Sequence, residues 1–146
     1  MLPAGSRLHT SEEFAAVVRL GRRSASPRMV VHLLTGGPGV QSDQARSDQA
    51  RSDQAPSDQA PRVGFVVSGK VGNAVVRHRV TRRLRALMRP QLAGLPAGTD
   101  VVVRALPAAA SATSAELGTD LRAALAGALR KSRTARAQSR AVGAGR

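Results

Sequence analysis

Between Asn73 and Pro90 the chain demands two different environments on opposite sides of one helix. At about 100° per residue, Val76, Val80, Leu84 and Leu87 fall on a single stripe, which must be buried against another layer. Arg79, Arg82, Arg85 and Arg89 occupy the opposite arc, and Arg77 borders the apolar edge. Asn73 is placed to cap this helix, and Pro90 to stop it at about Arg89. No acidic residue occurs from Gln59 through Thr99, so nothing nearby in sequence neutralises the arginines. Like charges four residues apart on a helix repel by about 0.2–0.5 kcal/mol per pair, and a phosphate backbone would relieve that repulsion. Gly72, just before the cap, permits close backbone approach, and the free N–H groups of the helix start favour an anion there. A solvated cationic face on an ordinary amphipathic helix is the plainer alternative.

The layer that receives the stripe is legible on either side. Met29–Leu34, Arg62–Ser68 and Asp100–Ala105 are apolar runs of strand length, and Arg22–Ala25 is a weaker strand. Thr10 with Glu13 forms a capping box opening a helix through about Leu20, closed by Gly21, with Phe14, Val17 and Val18 as its apolar stripe. A second box, Thr113 with Glu116, opens a final helix to about Lys131. The resulting order is α, β (one or two strands), β, α, β, α. That order fits an α/β (α+β) two-layer sandwich, a small mixed sheet packed by helices.

Two segments stand apart. Ser42–Pro61 is four pentapeptides, Ser-Asp-Gln-Ala-Arg twice and Ser-Asp-Gln-Ala-Pro twice. With no large apolar residue it cannot offset the entropy of ordering, so residues 36–61 are expected to be a disordered surface loop. Residues 1–131 are then expected to form a single domain around that loop. Residues 132–146 are expected to be a basic disordered tail, because 130–146 carries six basic residues and no acidic one.

Lys+Arg 23 against Asp+Glu 9 in 146 residues gives a net charge of +14. Setting aside the repeat, with four aspartates and two arginines, leaves 21 basic and 5 acidic residues, or +16. Such an excess calls for a polyanionic partner, and arginine's planar fork favours nucleic acid over a merely anionic surface. The absence of cysteine excludes disulfides and thiolate metal sites. The longest apolar runs fall far short of the roughly 20 residues needed to span a bilayer, so no membrane partner is expected. Met1–Gly5 lacks the apolar core of a signal peptide, and a cytoplasmic location is expected.

Catalysis by the chain itself is not expected. A ribonuclease needs a general acid and base at one phosphate, whereas His9, His32 and His78 fall in three separate elements. Glu12, Glu13, Glu116 and Asp120 suit helix starts, and no carboxylate cluster has metal-ligand spacing. The residues alone leave open a non-catalytic ribosome- or RNA-associated basic protein and a stand-alone nuclease.

The run Lys70-Val-Gly-Asn-Ala-Val-Val-Arg-His-Arg-Val-Thr-Arg-Arg-Leu-Arg85 closely resembles the signature of the bacterial ribonuclease P protein component, including its Arg-Asn-Arg motif. The resemblance extends from Leu8 to about Leu129, omitting the repeat, with further anchors at Arg7-Leu8, Glu13-Phe14, Gly21, Arg62-Val63-Gly64 and Asp100–Ala105. It implies an α-β-β-β-α-β-α order with a left-handed βαβ crossover, which periodicity could not suggest because right-handed crossovers dominate. It also implies a subunit of an endoribonuclease that removes the 5′ leader of precursor tRNA, with a catalytic RNA as partner and one protein per RNA. Mg²⁺, bound mainly by the RNA, would activate the water. On this chain Lys70, Asn73, Arg77, His78, Arg79, Arg82, Arg83 and Arg85 would contact the catalytic RNA. Phe14, Val18, His32 and Phe65 would line a cleft for the single-stranded leader. His78 replaces the motif's asparagine and loses the amide's paired donor and acceptor. Gly69 and Thr81 stand where basic residues are frequent. Val18 and His32 stand where aromatics are usual, which reduces stacking on leader bases.

Overall fold

The computed structural model describes Leu8, residues 10–35 and residues 60–144. The first helix, α1 (Ser11–Leu20), opens on the expected reciprocal cap: Glu13 N–H donates to Thr10 Oγ1 at 3.1 Å, and Thr10 N–H donates to Glu13 Oε1 at 3.0 Å. Gly21 ends it in an extended conformation, so positive φ is not the reason for glycine there. A Cβ at Gly21 would lie 2.5 Å from the Val17 carbonyl oxygen and 2.8 Å from that of Leu33. The helix end therefore presses on the sheet backbone.

Four strands follow the alternation of the sequence: β1 (Arg22–Ala25), β2 (Met29–Leu34), β3 (Arg62–Val66) and β4 (Asp100–Ala105). They lie in the order β1-β2-β4-β3, with β3 parallel to β4 and the other pairs antiparallel. All six residues of β2 are buried, as a central strand covered on both faces requires. Helix α2 (Ala74–Leu92) connects the parallel strands, and α3 (Ser114–Ala144) follows β4 after a 3-10 turn at Pro107–Ser111.

Alternation divides the sheet into two faces. Met29, Val31, Leu33, Val63, Val101 and Val103 meet Val80, Leu84 and Met88 of α2 and Leu117, Leu121 and Leu125 of α3 in the main core. On the opposite face Leu34 and Val102 pack with Leu8 and Val17 in a smaller cluster, joined by Phe14 and Val66. Helices α2 and α3 with the sheet make the expected two layers, and α1 partly covers the far side.

Two ion-pair ties hold the layers in register. Arg62 grips Asp100 with two hydrogen bonds, 3.0 and 2.9 Å, and its third nitrogen reaches Glu13 at 2.6 Å. Burial works against its charge, but Asp100 and then Glu13 more than offset this, so the guanidinium pKa is raised. Arg28 joins the start of β2 to Glu116 at 3.0 Å and Asp120 at 3.3 Å.

Three boundaries differ from the sequence reading, the first being β3, which ends at Val66 and not at Ser68. Helix α2 runs through Pro90 to Leu92; the proline forfeits one ladder bond, and Leu92 still packs on the core. Helix α3 continues past Lys131 to Ala144, so the expected disordered tail is helical over 132–144. That stretch is rich in alanine and arginine, both strong helix formers, and Ser132 is anchored by a 3.0 Å hydrogen bond with Thr35. Residues 145–146 and, of the expected loop 36–61, residues 36–59 lie outside the described residues.

Candidate nucleic-acid interface

Helix α2 begins as the sequence requires, with Val76 N–H donating to Asn73 Oδ1 at 3.0 Å. Val80, Leu84 and Met88 are buried, and Val76 and Leu87 pack beside them. What remains outward is His78, Arg79, Arg82, Arg85 and Arg89, with Lys70 and Asn73 exposed at the helix entrance. Six of the eight expected contact residues thus share one exposed surface. Arg77 and Arg83 are half-buried on either border of the apolar stripe. Arg83 Nη1 donates to the Ala112 carbonyl at 2.9 Å and Arg79 Nη2 to that of Ala110 at 3.3 Å, clasping α2 to the segment after β4. Arg77 Nε is buried without a hydrogen-bond acceptor. There is no acidic residue in the first turn to meet the positive helix end.

The second surface is the face of the sheet that α1 only partly covers. Phe14 rests on Gly64, where an added Cβ would sit 2.3 Å from the ring. Val18, one turn further along α1, is 46% exposed. His32 lies on this same face, opposite Arg23 in β1 and next to the Val30–Arg104 pair. It is only 8% exposed, and its Nδ1 is buried without a partner. Burial, then Arg23, then Arg104 push its pKa below the ordinary 6.5. Phe14, Val18 and His32 are therefore brought to one side of the sheet.

Phe65 is not. Arg62, Gly64 and Val66 face α1, whereas Val63 and Phe65 point to the other face, and Phe65 packs against the main core. Its place among the cleft residues is corrected by the two-residue period of β3. Arg23 and Arg104 take positions on this surface that the sequence reading missed. Alternation within each strand carried the signal, but only strand pairing sets them beside His32.

The described histidines, His32 and His78, lie on different surfaces; His9 lies outside the described residues. Among the described residues no group of three or more His, Asp or Glu could hold a metal ion. Asp100 and Glu13 are engaged by Arg62, and Asp120 and Glu116 by Arg28. The chain's own described donors do not fit a resident Mg²⁺. No helix among the described residues is long and apolar enough to cross a membrane.

A mixed sheet with an arginine-faced helix between its parallel strands, and a basic half-open face behind it, defines a small RNA-binding protein of the α+β class. Comparison with known proteins agrees. Residues 2–129 match the family model for ribonuclease P. The ribonuclease P protein component of Salinispora tropica is 54% identical over 130 residues, covering 88% of this chain and 93% of that protein. That of Streptomyces avermitilis is 50% identical over 127 residues, covering 86% and 93%. Among solved structures, the Staphylococcus aureus RNase P protein superposes with a TM-score of 0.63 at 22% identity, covering 82% of this chain and 92% of that one. The Thermotoga maritima RNase P protein gives 0.58 at 21%, covering 79% and 90%. The chain belongs to the ribonuclease P protein family, as a protein subunit of that endoribonuclease.

Proposed function

We propose that the exposed arc of α2 binds a catalytic RNA, one protein to each RNA, and that the sheet face beside α1 receives the single-stranded 5′ leader of precursor tRNA. The observation that carries this reading is the exposed row His78, Arg79, Arg82 and Arg85, on a helix whose sequence contains no acidic residue. Phosphates docked there relieve the repulsion among the arginines and release condensed counterions, so affinity falls steeply with salt. Cleavage itself belongs to the RNA, with RNA-held Mg²⁺ supplying the Lewis acid and activated water. The protein positions the substrate and so lowers the entropic part of the barrier. It works in the cytoplasm, where tRNA precursors are made.

Reconstitution tests this. Protein added to its cognate RNA raises precursor-tRNA cleavage at low Mg²⁺, and protein alone cuts nothing. Cleavage by the protein alone, or an RNA indifferent to the protein, overturns the reading.

A further inference from the structure

A second concentration of positive charge lies at the opposite edge of the sheet from β3, at the outer corner of β1. Four connections assemble it. The end of α1 abuts the Leu33 carbonyl through Gly21, which places Arg19 there. Gly127 of α3 sits on Ser24, with the position of an added Cβ 2.5 Å from Ser24 Oγ and 3.8 Å from Arg130 Nη2. Lys131 Nζ donates to the Arg23 carbonyl at 2.7 Å, and Ser132 bonds Thr35 at 3.0 Å. Arg19, Arg22, Arg23, Arg130, Lys131 and Arg133 are thereby gathered at one corner, all exposed.

Among the described residues, counter-charge is lacking there. The sequence has no acidic residue after Asp120. Asp100, paired across from Leu34 at this end of the sheet, has both oxygens on Arg62. Glu116 and Asp120 are held by Arg28 at the other end of β2. Glu12 stands in the first turn of α1, about 10 Å along the axis from Arg19. Of the six cations, only Lys131 has a side-chain partner among the described residues, and that partner is a neutral carbonyl. Bringing such a group together repels unless a polyanion covers it. The charges are also continuous with the open sheet face, because Arg23 belongs to both.

We propose that this corner is a further RNA-backbone site, gripping a segment distinct from the one on α2, so that the protein holds two stretches of RNA on opposite edges of its sheet. The inference rests on the reading of the chain as an RNA-binding subunit, and its ligand is phosphodiester backbone from either the catalytic RNA or the precursor tRNA. Arg22, Arg130 and Arg133 are the residues to test, since none of them makes a hydrogen bond or ion pair through its side chain among the described residues.

The combined variant Arg22→Ala, Arg130→Ala, Arg133→Ala is compared with wild type in the reconstituted holoenzyme, measuring affinity for each RNA across a salt series. A loss of about tenfold, with a salt slope shallower by about 2, is expected for one of the two RNAs. Loss confined to precursor tRNA assigns the site to substrate, and loss confined to assembly assigns it to the catalytic RNA. Unchanged affinity and slope for both overturn the proposal. The chain has no cysteine, so Arg22→Cys can carry a single photo-crosslinker as a second measurement independent of folding effects. Crosslinking into RNA in the assembled particle is expected, and its absence overturns the site. An Arg82→Ala, Arg85→Ala control separates this from the α2 reading, because either surface can fail while the other stands.

Discussion

His32 shows how one residue couples burial to chemistry. In the folded chain its proton is opposed by burial and by Arg23 and Arg104, so it stays neutral below its ordinary 6.5. The unfolded chain binds that proton near the ordinary value. As pH falls through about 6.5 the unfolded state therefore gains protons that the native state refuses, and stability declines until the lowered folded value is reached. Urea unfolding at pH 7.5 and 5.5 should show a loss in wild type that shrinks in His32→Phe. Removing Arg62 is costly for a different reason. Arg62→Ala takes the cation from the largely shielded Asp100 and one of the partners from Glu13, and should lower stability by about 3 kcal/mol in denaturant unfolding.

At the scale of the element, α2 carries exposed charge on one side and a buried apolar stripe on the other. Arg82→Ala with Arg85→Ala touches only exposed side chains. It should weaken binding to the catalytic RNA and flatten the salt slope by about 0.7–0.9 for each phosphate no longer neutralised, with little change in thermal unfolding. Leu84→Ala empties a fully buried position and should cost about 2–5 kcal/mol of stability. The same helix also marks how far the sequence could be read. Its stripe, its cap and its arginine arc follow from a 3.6-residue period and one asparagine, and both capping boxes were visible for the same reason. Its end was not, because Pro90 forbids a hydrogen bond without forbidding another turn, and only the packing of Leu92 on the core settles the matter. Phe65 and Arg104 were misjudged or missed because side-chain direction in a strand depends on pairing across the sheet, a long-range fact. The 3-10 turn at Pro107–Ser111, which receives the Arg79 guanidinium, likewise has no local pattern that predicts it.

For the whole molecule the distribution of acidic groups matters more than their number. Four described carboxylates serve the two ties made by Arg62 and Arg28, and the basic surfaces are left without neutralisation among the described residues. Folding is thus insulated from salt better than binding is, since partly buried pairs are screened less than exposed charges. Deleting 42–59, which lies between β2 and β3, should change unfolding free energy by less than about 1 kcal/mol, because closure entropy varies slowly with loop length. A larger loss in denaturant titration would give the repeat a structural role.

The Arg62 tie has one more effect. The guanidinium that fixes α1 to the sheet opens the strand whose other end leads, seven residues after Val66, to the cap of α2. Helix α1 on one face and the arginine helix on the other are thus mounted on a single short spar. Under the proposed function, a nucleic-acid strand lodged beside one would not shift relative to a strand lodged on the other without bending that spar, so the protein would act as a gauge block between them.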